Sequence, residues 1–194
     1  MSQLKPRQLD IMQTLTSILA RKGPVNITTS LLAKECGITE AAIYRHFPSK
    51  RKIYSGLVDF CEQNLFDLIT KINTDIKDPL KRVEKILTVL VAFCEKNPGM
   101  AKLLTREAFS ENESNQNDRI IQIFAKIELH LKQNLQKYEQ ETKKKLILAS
   151  ASCANLLLCH AEGLIQQFVR SGFENQPTEK LHLQFKPLIN SIVN

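Results

Sequence analysis

From Ile27 to Lys52 the sequence reads ITTSLLAKECGITEAAIYRHFPSKRK, and it groups hydroxyls, a phenol, an imidazole and several cations within 26 positions. It offers no paired nucleophile and base. Its chemistry is recognition of a polyanion. Thr28, Thr29, Tyr44 and His46 can hydrogen-bond phosphate oxygens, contacts that fix position but carry no sequence information. Arg45 is the one long cation between Thr39 and Phe47, able to read guanine or hold a phosphate. Glu40 and Ala41 face the same way, and the small Ala41 permits close approach to base edges. The charge pattern agrees. Residues 1–52 carry nine Lys/Arg against three Asp/Glu, whereas the other 142 carry 18 against 17. Almost all of the net +7 therefore lies in the first quarter of the chain. A field of that kind concentrates nucleic acid.

Lys50, Arg51 and Lys52 are odd for their position. They follow Pro48-Ser49 at the start of a long apolar-periodic stretch, where the helix macrodipole disfavours cations by roughly 0.3–1 kcal/mol each. A phosphate bound at that terminus, held by backbone N–H groups and Lys50, removes the conflict. Thr28 and Thr29 are placed to act similarly one element earlier. The plain alternative is a solvated charge run ahead of a helix.

These side chains need a rigid mount, and the spacing supplies one. Leu9, Met12, Leu15 and Leu19 stripe a first helix from about Lys5 to Arg21, ended by Lys22-Gly23-Pro24. Thr28 or Thr29 caps a short helix stopped at Gly37. Thr39 caps a second short helix, Glu40 to Phe47, whose inner side is Ile38, Ile43 and Phe47. Pro48 closes it. Two short helices about a glycine turn form a helix-turn-helix, in which the second enters the major groove.

Beyond residue 50 the period stays helical. Helices are expected from Ser49 to about Lys77, Pro79 to Lys96, Gly99 to Ser110, Asp118 to Gln140, Lys143 to Ser171, and Thr178 to the C-terminus. A polar surface loop is expected at Glu111–Asn117. The fold class is all-α, with an N-terminal DNA-binding domain over 1–52 and a helical domain over 53–194, joined by a helix that crosses the boundary. The composition, 43% hydrophobic and 24% charged, suits packed domains rather than disorder.

Exclusions narrow the function. The four histidines, at 46, 130, 160 and 182, are scattered. The sequence holds no phosphate-binding glycine loop, no recognisable nucleophile motif and no metal-ligand spacing, so no enzyme, cofactor or metal is expected. Cys36, Cys61, Cys94, Cys153 and Cys159 form no CxxC pair and sit in apolar helical contexts, which suggests buried, reduced thiols. MSQLKPRQLD lacks an apolar signal region. Leu146 to Cys159 is too short to span a bilayer. A cytoplasmic protein is expected.

The run Ile27-Thr28-Thr29, Leu32-Ala33, then Gly37 through Lys50 resembles the DNA-binding signature of TetR-type regulators. The resemblance implies a homodimer on double-stranded DNA, with Thr28, Thr39, Tyr44, His46 and Lys50 as contacts. Further segments are similar to the nucleoid-occlusion branch of that family: Glu95 to Met100, Arg119 to Glu128, Ala161 to Leu164, Phe168 to Ser171, and Pro187 to Ile189. That branch implies a nucleoid-associated division regulator that, on chromosomal sites, antagonises polymers of the tubulin-like protein FtsZ. It points to Phe60 and Lys96 as the neighbourhood of the partner surface. The N-terminal arm is shorter and less basic than the branch leads one to expect.

Alternatives stay open. Phe60 can be core, and Lys96 a cation at a helix C-terminus. His160 and Glu162 can line a ligand pocket in a ligand-responsive repressor, or Glu162-Gly163 can mark close helix packing. Leu156, Cys159, Gly163 and Gln167 recur at helical spacing and suit a dimer seam.

Overall fold

A computed structural model describes residues 5–23, 26–109 and 115–193. Pro24 and residues 111–114 of the expected loop lie outside the described residues. The helices are α1 (Pro6–Leu19), α2 (Thr29–Glu35), α3 (Glu40–His46), α4 (Lys50–Asp75), α5 (Pro79–Lys96), α6 (Pro98–Leu104), α7 (Asn115–Thr142), α8 (Ser150–Arg170) and α9 (Leu181–Ser191). A 3-10 turn, Pro177–Lys180, leads into α9. The chain forms two compact units, one of residues 1–62 with 97–120, the other of 63–96 with 121–194. Helix α4 contributes to both.

In the first unit, α1 buries Ile11, Met12, Leu15, Ile18 and Leu19. Helix α6 packs against it so closely that a Cβ on Gly99 would lie 2.2 Å from the Thr16 carbonyl oxygen. Lys102 of α6 donates to the carbonyls of Arg21 (2.8 Å) and Gly23 (3.4 Å), which tail off α1. Desolvation lowers the Lys102 pKa, only partly offset by Glu107. Arg119, at the start of α7, donates to Ser55 O and Oγ and pairs with Asp59 and Glu62. Four acceptors thus bind this end of α7 to α4.

The second unit is built around α5, which packs on α8 and α9. Val83, Ile86, Leu87, Leu90, Val91 and Cys94 form its buried face. Asp78 caps it, its Oδ1 accepting from Leu80 N at 2.9 Å. Asn134 is buried but satisfied: its Nδ2 donates to Asn73 Oδ1 (3.0 Å) and His130 O (2.9 Å), and its Oδ1 accepts from Arg82. At the end of α5, Glu95 accepts from both Thr178 N (2.8 Å) and Thr178 Oγ1 (2.6 Å) and so anchors the 3-10 turn.

Several expected boundaries move. The helix expected from Lys143 begins at Ser150 instead. Lys143 adopts φ +62°, Leu146 forms an antiparallel bridge with Val193, and Ile147 N donates to Ile192 O at 3.0 Å. Backbone partners from the chain's end outcompete helical bonding in a segment opened by three like charges. Helix α6 stops at Leu104 rather than Ser110, because Arg106 turns left-handed at φ +67°. Helix α7 starts at Asn115, which takes in the last three residues of the expected loop. The final helix is preceded by a tighter 3-10 turn rather than starting at Thr178.

The cysteines are all free, but not all buried. Cys61, Cys94 and Cys153 are; Cys36 is half-buried and Cys159 exposed. Cys159 points away from the packed face of α8, which its apolar neighbours did not reveal.

Candidate nucleic-acid interface

The two short helices form where the caps dictate. Thr28 Oγ1 accepts from Leu31 N at 3.0 Å, and Thr39 Oγ1 from Ala42 N at 3.2 Å. Between them Gly37 takes φ +65°, the left-handed conformation that glycine adopts without Cβ strain. The Ile38 N–H then closes back on Ala33 O at 3.0 Å. Ile43, fully buried, and Phe47 pin α3 to the core, while Ile38 is only half-buried.

With that face committed, Thr39, Glu40, Ala41, Tyr44 and Arg45 are left exposed. Tyr44 is 49% exposed, and its hydroxyl lies 3.4 Å from Thr29 Oγ1, so α2 steadies it from the side. Thr28 and Thr29 thus each have a structural contact as well as an outward aspect. Glu40 in the first turn of α3 complements the helix dipole. His46 is half-buried, and its carbonyl accepts from Gln8 Nε2 at 3.2 Å, a contact between α1 and α3 that the helical stripe of α1 did not single out.

Ser49 caps α4, its Oγ accepting from Lys52 N at 3.3 Å. The first turn of α4 contains no acidic residue. Lys50 Nζ lies 5.7 Å from the centre of the Tyr54 ring. The ring's negative face compensates part of the dipole conflict without an anion. Arg51 and Lys52 are exposed. The unit thus gathers α2, α3 and the head of α4, with the hydroxyls, Tyr44, Arg45 and the Lys50 cluster among them.

Phe60 on α4 is 38% exposed. Lys96, exposed at the end of α5, borders an open groove of about 670 Å³ lined by Ile76, Lys81, Lys85, Thr88, Ala92 and Leu181, among others. His160 is bound to Gln184 (3.1 Å) and stacked edge-on against Phe185, while Glu162 is exposed. Gly163 marks no close packing within this chain, since a Cβ there would meet nothing within 4 Å.

A helix-turn-helix with a hydroxyl-rich outer face and a basic helix-head behind it, in a chain otherwise helical, defines a DNA-binding regulator. Comparisons with known proteins specify it further. Residues 11–57 match the family described as bacterial regulatory proteins, tetR family, and residues 77–193 match the SlmA-like form of the tetracyclin repressor-like C-terminal domain. A nucleoid occlusion factor SlmA from Shewanella loihica is 44% identical over 93% of this chain and 91% of its own. SlmA from Aliivibrio fischeri is 41% identical, with 92% of each chain covered. The fold is also that of the fatty acid degradation regulator FadR from Bacillus halodurans, with a TM-score of 0.78 at 13% identity over 97% of each chain. The chain belongs to the TetR family of bacterial regulators, in its SlmA branch.

Proposed function

We propose that this protein is a nucleoid occlusion factor: bound to chromosomal sites, it antagonises FtsZ polymers and blocks septum assembly over the nucleoid. The observation that carries this reading is the 44% identity to a nucleoid occlusion factor across nearly the whole chain, C-terminal unit included. A shared helix-turn-helix alone would indicate only a DNA-binding protein. The DNA contacts in this reading are Thr28, Thr29, Thr39, Glu40, Ala41, Tyr44, Arg45, His46 and Lys50. Phe60 in the first unit and Lys96 in the second are each assigned to FtsZ contact in this reading: the one is an aromatic left partly in water, the other a cation beside an open groove of its own unit. The domain division follows the function, with residues 1–52 reading DNA and 53–194 serving dimerisation and the partner.

A homodimer fits the exposed face of α8. Leu156 is 45% exposed, and Cys159, Gly163 and Gln167 line the same side, with open space over the glycine. On α9, Leu183 is 65% exposed. A second copy would cover both.

Genome-wide occupancy tests the reading. It expects dozens of sites around the chromosome, sparse near the replication terminus. Occupancy confined to one or a few promoters would replace it with a ligand-responsive TetR-type repressor.

A further inference from the structure

We infer that Gln8, far from the recognition helix in sequence, is a positioning residue that sets how α3 is presented to DNA. The inference rests on the DNA-binding reading proposed for this unit. The Gln8 amide makes two contacts at once. Its Oε1 accepts from Lys5 N at 3.0 Å, the half of a capping box in which the side chain at the third helical position satisfies the N-cap N–H. Its Nε2 donates to His46 O at 3.2 Å, across 38 residues of sequence. The two contacts fix the amide's orientation, because a flip would set donor against donor and acceptor against acceptor.

The accepting carbonyl sits where α3 ends. His46 is the last residue of the helix, and Phe47 turns extended at φ −136°. Pro48 has no N–H to offer. Ile43 and Phe47 seat α3 by apolar burial, which sets its depth but is non-directional. The Gln8 bond is directional and falls in the same helical turn as Tyr44 and Arg45. It therefore holds the end of α3 that carries the cationic reader, without itself belonging to the exposed face. Only an amide performs both tasks: a carboxylate keeps the cap and loses the donor, and a thioether loses both.

Gln8→Glu and Gln8→Met test this. A duplex enriched by the wild-type protein from a random-sequence pool, and a scrambled version of it, are titrated over a range of salt concentrations. Both variants are expected to lose about three- to tenfold in affinity for the enriched duplex, the scale of one hydrogen bond. The ratio of enriched to scrambled affinity falls, and the salt slope of Gln8→Met stays at the wild-type value because no phosphate contact is lost. Amide exchange at Tyr44 and Arg45 in the DNA-free protein accelerates in both variants, while exchange in the first turn of α1 stays near wild type in Gln8→Glu, which retains the α1 cap. An unchanged affinity ratio, or unaltered exchange at α3 in both variants, would overturn the inference. If the wild-type protein enriches no duplex at all, the DNA-binding reading fails instead, and the exchange comparison still decides whether Gln8 holds α3.

Discussion

Arg45 and Lys50 are cations on one unit, yet they should govern different properties of the complex. If Lys50 and Tyr44 hold phosphates as proposed, Lys50→Ala and Tyr44→Phe should lower affinity for every sequence alike. Replacing Arg45 by Ala should also relax base preference, by about 1–3 kcal/mol if the guanidinium reads a guanine. Filter binding on a cognate and a scrambled duplex separates the two, and a specificity change in the Tyr44 or Lys50 variant would count against the assignment. His130 makes a stability prediction. Burial holds its pKa below the ordinary 6.5, so as pH falls the unfolded chain takes up the proton first. Stability should therefore be fully present above pH 6.5 and decline as pH falls through 6.5 toward the lower folded value. Denaturant melts at pH 7.5 and 5.5 should show this, with a smaller loss in His130→Gln. Burial pushes the Cys61 thiol up to about 12. It should resist alkylation until the protein unfolds, whereas exposed Cys159 reacts in the monomer.

Among the elements, α6 shows how one atom constrains two helices. Glycine to alanine normally favours a helix by about 1 kcal/mol. At Gly99 the new methyl would lie 2.2 Å from the Thr16 carbonyl oxygen, which backbone cannot yield cheaply. Gly99→Ala should destabilise the protein by about 2 kcal/mol or more, read from denaturant melts; a gain would show that α1 and α6 separate easily. The sequence announced Asn97-Pro98-Gly99 as a break but not this contact, because tight packing between distant helices leaves no periodic trace. Elements with local signals were legible: Thr28 and Thr39 cap where expected, and α5 runs from Pro79 to Lys96 as its flanking prolines indicate. Segments decided by remote partners were not. Lys143–Ala149 has apolar residues at helical spacing, but the bridge from Leu146 to Val193 holds it out of the helix. The exposed face of the recognition helix could be read from its apolar neighbours Ile38, Ile43 and Phe47, whereas the Gln8 bond, spanning 38 positions, could not.

For the whole molecule, the proposed function calls for two copies of the chain, DNA and FtsZ as partners, and coupling between the two binding sites. Gly163→Lys on α8 should leave the monomer's packing largely untouched, since the position is exposed and a Cβ there meets nothing within 4 Å. It should shift sedimentation from dimer to monomer with loss of duplex binding. A dimer that survives the substitution would move the seam elsewhere. Positive linkage is the deeper requirement: if DNA favours the FtsZ-binding state, FtsZ must in turn tighten DNA binding by the same factor. FtsZ polymer sedimentation in GTP, with the protein alone and with the protein plus its enriched duplex, tests that requirement at its centre. A DNA-activated antagonist should have little effect alone, cause a marked loss of pelletable FtsZ once the duplex is added, and lose that effect in Phe60→Ala or Lys96→Ala. Equal pelleting with and without the duplex, at concentrations where the duplex is saturated, would contradict DNA-activated antagonism of FtsZ.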